Sequence, residues 1–221
     1  MTKAYIVPFA IYLLGTSLIA RWGDEWYPLL YSLLVAALLC CIAWLLKGTG
    51  IVRLHWRIAP AIVVGLLGIA LWIVLASLHI ERLLAEFLPT WLRPESRVAY
   101  NPLEQLEGVA LWGFIAARLA GIAVVVPLAE ELFWRGFLLR WLIDPEWEKV
   151  PLGEYSHSSC TIVTLMFTLA HPEWLAAAIY CLLLNALLYW KRDLWLCVVA
   201  HAVSNFVLAC YVLVTGEWWL W

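Results

Sequence analysis

The chain has 221 residues, of which 65% are hydrophobic and only 14% charged, with a net charge of −2. About a quarter of the residues in a soluble domain are charged, so the composition excludes an ordinary soluble protein and points to an integral membrane protein. The near-neutral balance also gives a nucleic-acid partner no electrostatic footing.

A bilayer core about 30 Å thick takes about 20 mostly apolar residues in a helix. In chain order, residues 4–20, 27–46 and 58–79 meet that requirement. Residues 81–108 are a polar loop that carries Glu81, Arg82, Glu86, Arg93, Glu95, Arg97, Glu104 and Glu107, with an interfacial helix expected near 81–92. Residues 109–128 form the next span. The stretch 132–143 is either its continuation or a further half-length helix. A second polar loop, 144–158, carries Asp144, Glu146, Glu148, Lys149 and Glu154. Two shorter runs, 159–171 and 174–190, are divided at His171–Pro172, and 194–214 is the last span. The expectation is an all-α, polytopic helix bundle of seven to eight transmembrane helices, forming one domain over residues 1–221. No internal repeat and no cleavable leader is read.

Tryptophans flank many of the apolar runs, among them Trp22, Trp26, Trp56, Trp91, Trp190, Trp195, Trp218, Trp219 and Trp221. Indole favours the headgroup level, where its ring is in apolar surroundings and its N–H is wet. Cys40, Cys41, Cys160, Cys181, Cys197 and Cys210 have no CxxC spacing and read as small apolar residues of the helices. Lys47, Arg53 and Arg57 follow the second span, and Lys191 and Arg192 precede the last. The positive-inside rule makes both loops and Lys3 cytoplasmic, and the 81–108 loop external.

An ionisable residue inside a membrane helix costs about 2.5–3.5 kcal/mol on insertion scales, so each such residue is a functional candidate. Three clusters qualify. In "AEELFWRGF", Glu131 and Arg135 are four residues apart and face each other on a helix. Glu130 is rotated about 100° away and lacks that local partner, which suits a general base. A helix end at the membrane surface is the equal alternative for this motif alone. Phe167 and His171 share a helix face just before Pro172, and a packed or capping histidine is the plainer reading of His171. His201 and Asn205 share a face inside the last span, where a simple interhelical hydrogen bond is the alternative. Read together, a carboxylate, two imidazoles and an amide on three helices are what water activation and oxyanion stabilisation require. His55, His79 and His157 lie at span ends or in loops and look incidental.

The ordered set EExxxR, FxxxH and HxxxN on separate membrane helices resembles the type II CAAX prenyl endopeptidases, the CPBP or Abi family of intramembrane proteases. The motifs here are Glu130–Arg135, Phe167–His171 and His201–Asn205. The stretches "EELFWRGFLLRWLI", "AHPEW", "AHAVSN" and "TGEWWLW" are further similar to the short bacterial subgroup associated with exosortase and PEP-CTERM sorting. The resemblance implies hydrolysis of a peptide bond of a membrane-associated protein or peptide, in a bacterial plasma membrane. Glu130 would activate water, His171 would help to place it, and His201 and Asn205 would stabilise the oxyanion. Glu131, Arg135 and Phe167 would support them.

No cofactor is favoured. Glu130, His171 and His201 are the set that would bind Zn²⁺ if a metal took part, but no HExxH is present. The three must share one depth, which predicts a site about a third of the way into the membrane, opening to the cytoplasmic side. Arg118, in the middle of "FIAARLAGIAVV", is left without an assigned role. Two other classes stand beside the protease: a non-proteolytic binding or immunity protein on the same scaffold, and a proton-coupled carrier.

Overall fold

The computed structural model describes residues 1–85, 87–90 and 99–220. Glu86, Trp91, Arg93, Glu95, Arg97 and Trp221 lie outside the described residues, as does the far end of the helix expected near 81–92. Helix is the only regular structure among the described residues. A lipid-embedded segment requires this, because each backbone polar group has to find its partner within the chain.

The first three helices are α1 (Thr2–Ile19), α2 (Tyr27–Leu46) and α3 (Ala59–Ser77). Pro28 and Pro60 sit in the opening turns of α2 and α3, where a missing N–H costs nothing. Two short helices, α4 (Ile80–Ala85) and α5 (Pro102–Gln105), belong to the following loop. A helical run of 34 residues then extends over Gly108–Trp141. It comprises α6 (Gly108–Ala120), a π-helical segment (Gly121–Val125), α7 (Val126–Glu131), a second π-helical segment (Leu132–Leu138) and α8 (Leu139–Trp141). The chain ends with α9 (His157–Leu169), α10 (Trp174–Lys191) and α11 (Leu194–Thr215). Asp193 caps α11 by accepting from the Trp195 N–H at 2.9 Å, while its other oxygen pairs with His55 at 2.7 Å. His55 is therefore a clamp between the α2–α3 loop and α11.

Among the described residues six helices are long and apolar enough to cross a membrane, where the sequence pointed to seven or eight spans. The stretch 132–143 continues the 109–128 helix and adds no span. Residues 159–171 yield a helix of 13 residues, about 20 Å long, which is short of a full crossing. The protein is a multi-pass integral membrane protein with an all-helical fold.

α3 packs against α10 and α11, and α7 lies between α1 and α11. Two glycines permit the first of these contacts. A Cβ at Gly65 would stand 2.6 Å from the Ala200 carbonyl oxygen, and one at Gly68 would stand 2.5 Å from the Tyr180 ring. Large apolar side chains such as Leu14, Trp44 and Val214 point out of the bundle, as lipid contact demands. Cys181 and Cys197 are buried, as expected of small apolar residues, but Cys40 and Cys210 face outward. Polar groups occupy the interior: Glu130, Glu131, Arg135, Asn185, His201 and Ser204 are all buried.

Candidate active site

The long helix run carries the carboxylates. Its first π-helical segment sets up a backbone acceptor for the site. The Val126 N–H bonds to the Gly121 carbonyl, five residues back. The next carbonyl, Ile122, would take its matching bond from residue 127, but Pro127 has no N–H. The Asn205 side-chain amide fills that place, donating to the Ile122 oxygen at 2.8 Å. Asn205 is thereby held by α11 on one side and the π-helical turn on the other. One of its two amide hydrogens remains for another acceptor.

Glu131 does more than its spacing suggested. One of its oxygens, Oε1, accepts from Arg135 at 3.2 Å and from His201 Nδ1 at 2.8 Å, and all three residues are buried. Arg135 is further held by Asn185 Oδ1 at 3.1 Å and by the carbonyl and sulfur of Cys181 at 3.3 and 3.2 Å. The Phe167 ring lies 5.0 Å from its guanidinium. The pair is thus a four-helix junction joining the long run, α9, α10 and α11. Because an ionised carboxylate only accepts, His201 Nδ1 must carry a proton. Its Nε2 is then an acceptor in the neutral ring and a donor in the imidazolium.

The Phe167 ring also stacks on His171, with centroids 4.4 Å apart. His171 Nδ1 lies 2.8 Å from the Phe167 carbonyl, which can only accept, so Nδ1 donates and Nε2 is the acceptor of the neutral ring. The packing and this bond together fix the ring's orientation.

Glu130, His171, His201 and Asn205 all line one cavity of about 150 Å³. Glu130 Oε2 is buried and has no hydrogen-bond partner among the described residues. The structure therefore brings together the four residues expected to act, with Phe167 on the same cavity wall and Glu131 and Arg135 behind them. Among the described residues no three His, Cys, Asp or Glu side chains converge as candidate ligands for a metal ion.

Two features depart from the sequence reading. The first is direction. The cavity continues past Leu208, Val212 and Leu220, towards the end of the bundle where α11 finishes. A second cavity of about 380 Å³, also lined by Glu130 and His171, runs along α1 past Thr16 and Ile19 to Ala20 and Tyr27. Both reach away from Lys47, Arg53, Arg57, Lys191 and Arg192, whereas an opening on their side was expected. The cause is the short α9, which brings His171 into the bundle from the basic side and then stops. The second departure is a set of residues that spacing did not single out. Tyr180 lies edge-on to His201, with ring centroids 5.7 Å apart, and donates to Ser204 at 2.7 Å; Ser204 lies 2.9 Å from the Gly65 carbonyl. Asn185 was detectable as a lone amide inside an apolar run. Tyr180 carried no such signal among so many aromatic residues.

A buried carboxyl group, two oriented imidazoles and an amide share one cavity of a helical membrane protein. Residues 111–207 match the family model described as type II CAAX prenyl endopeptidase Rce1-like. The matched segment is under half of the chain and contains every residue of the three motifs. It is a family of proteases, in agreement with the resemblance carried by those motifs. Comparison with curated proteins and with solved structures finds no match.

Proposed function

We propose that the protein is an intramembrane endopeptidase that hydrolyses a peptide bond of a membrane-associated substrate. The observation that carries this reading is Glu130, which has a buried oxygen with no hydrogen-bond partner among the described residues and lines the same cavity as His171, His201 and Asn205.

In this reading Glu130 takes a proton from water as the oxygen adds to the scissile carbonyl carbon. His171 Nε2 accepts from the same water and aims it. The tetrahedral oxyanion accepts from the second amide hydrogen of Asn205 and from His201 Nε2–H, which requires the imidazolium. Glu131 supports that cation directly. With His201 protonated, Glu130, Glu131, Arg135 and His201 sum to zero charge, a state that a low-dielectric interior favours. Collapse of the intermediate breaks the C–N bond, and Glu130 returns its proton to the leaving amine. No step calls on a metal.

The narrower likeness to the exosortase-associated subgroup makes a sorting-signal protein of a bacterial plasma membrane the first substrate to try. The direct test uses purified protein in lipid nanodiscs with a mixture of short hydrophobic peptides, and products read by mass spectrometry. Glu130→Gln and His171→Ala should each abolish cleavage, with losses of about 10²–10⁴-fold or more. Wild-type activity should persist in EDTA and phenanthroline. Full activity in both variants sinks the assignment, and chelator-sensitive activity restored by Zn²⁺ sinks the metal-free mechanism.

A further inference from the structure

Arg118 stands where the two cavities meet. With Tyr12, Glu130 and His171 it lines both of them. A guanidinium inside a membrane span is costly, and such residues mark binding or transport paths. This one is seated by another helix: the Tyr27 hydroxyl accepts from its Nη1 at 2.7 Å, and the Tyr31 ring lies 4.6 Å from its central carbon. Gly121 keeps that seat open, since a Cβ there would stand 2.4 Å from the Tyr31 hydroxyl. These contacts hold a planar cationic fork at the channel wall, and such a fork matches the two oxygens of a carboxylate.

We propose that Arg118 is a specificity-determining residue that receives a carboxylate of the substrate peptide. The proposal rests on the hydrolytic reading, because the channel leads to Glu130 and the group that meets Arg118 then belongs to the molecule being cut. Arg118 and Glu130 are 12 positions apart on one helical run. Their backbones are therefore at most about 18 Å apart along the axis, a span of about five extended residues. The carboxylate thus lies within about five residues of the scissile bond. It is either the free C-terminus or an acidic side chain.

The test uses full-length protein in phosphatidylcholine nanodiscs with randomised short peptides in two pools, one with free C-termini and one amidated. Wild type should prefer a carboxylate at one fixed distance from the cut by about tenfold to a hundredfold in kcat/KM. A preference lost in the amidated pool identifies the C-terminus, and one retained there identifies a side chain. Arg118→Gln should bring the ratio close to one. Tyr27→Phe and Arg118→Lys should lower it in part, and they carry the test if the glutamine variant fails to insert. A ratio near one in wild type, or an unchanged ratio in all three variants while Glu130-dependent cleavage persists, overturns the subsite and leaves the hydrolase intact. Absence of any Glu130-dependent cleavage in either pool overturns both. Loss of bound phosphatidylglycerol from Arg118→Gln in native mass spectrometry, with peptide preference unchanged, reassigns Arg118 to lipid phosphate and overturns the proposal.

Discussion

Glu131 accepts from Arg135 and His201 through a single oxygen, so it orients the imidazole as well as neutralising the guanidinium. Glu131→Gln therefore leaves two buried basic groups short of their partner, a change that costs about 3–5 kcal/mol. Glu130→Gln removes a buried carboxyl oxygen that has no hydrogen-bond partner among the described residues, so the fold should hold or gain stability while cleavage is lost. Thermal unfolding in detergent separates the two: a large drop for Glu131→Gln and none for Glu130→Gln is expected, and equal drops would contradict this division of labour. Residue spacing made the Glu131–Arg135 pair and the separateness of Glu130 legible. It gave no hint of the bond from Glu131 to His201, because those residues are 70 positions apart and only the packing of α7 on α11 joins them.

At the level of elements, the π-helical turn before Pro127 frees the Ile122 carbonyl that holds Asn205. π-Helical turns recur at functional sites, and this one follows from a proline that hydropathy treats as one more span residue. Pro127→Ala supplies the missing N–H, offers Ile122 a backbone partner and releases the Asn205 amide. Activity should fall at least about tenfold, towards the 10²–10³-fold loss expected of Asn205→Ala, with the unfolding temperature little changed. Full activity in Pro127→Ala would separate the turn from the site. Close packing of α3 makes a different prediction. Gly68→Val forces a branched side chain into the Tyr180 ring and should cost about 1–3 kcal/mol, as overpacking does. An unchanged unfolding temperature would show that Tyr180 yields freely.

For the whole molecule, apolar runs made the helical membrane fold legible. The direction of the cavities was not, since it depends on which helices stop short. Both cavities reach towards the end that carries Ala20, Tyr27 and Leu220. With the basic loops cytoplasmic, a membrane-impermeant thiol reagent added from outside intact cells should label Ala20→Cys in a cysteine-free background. Labelling only after the membrane is breached would invert the assigned orientation.

The 13-residue length of α9 bears on the surrounding bilayer as well as on the cavity. A helix of about 20 Å meets a hydrocarbon layer of about 30 Å, and such hydrophobic mismatch is relieved by locally thinned lipid. Such thinning would fall beside His171, where α9 stops. Headgroups and water there would dip towards the cavity, and in the hydrolytic reading membrane thickness itself would control turnover.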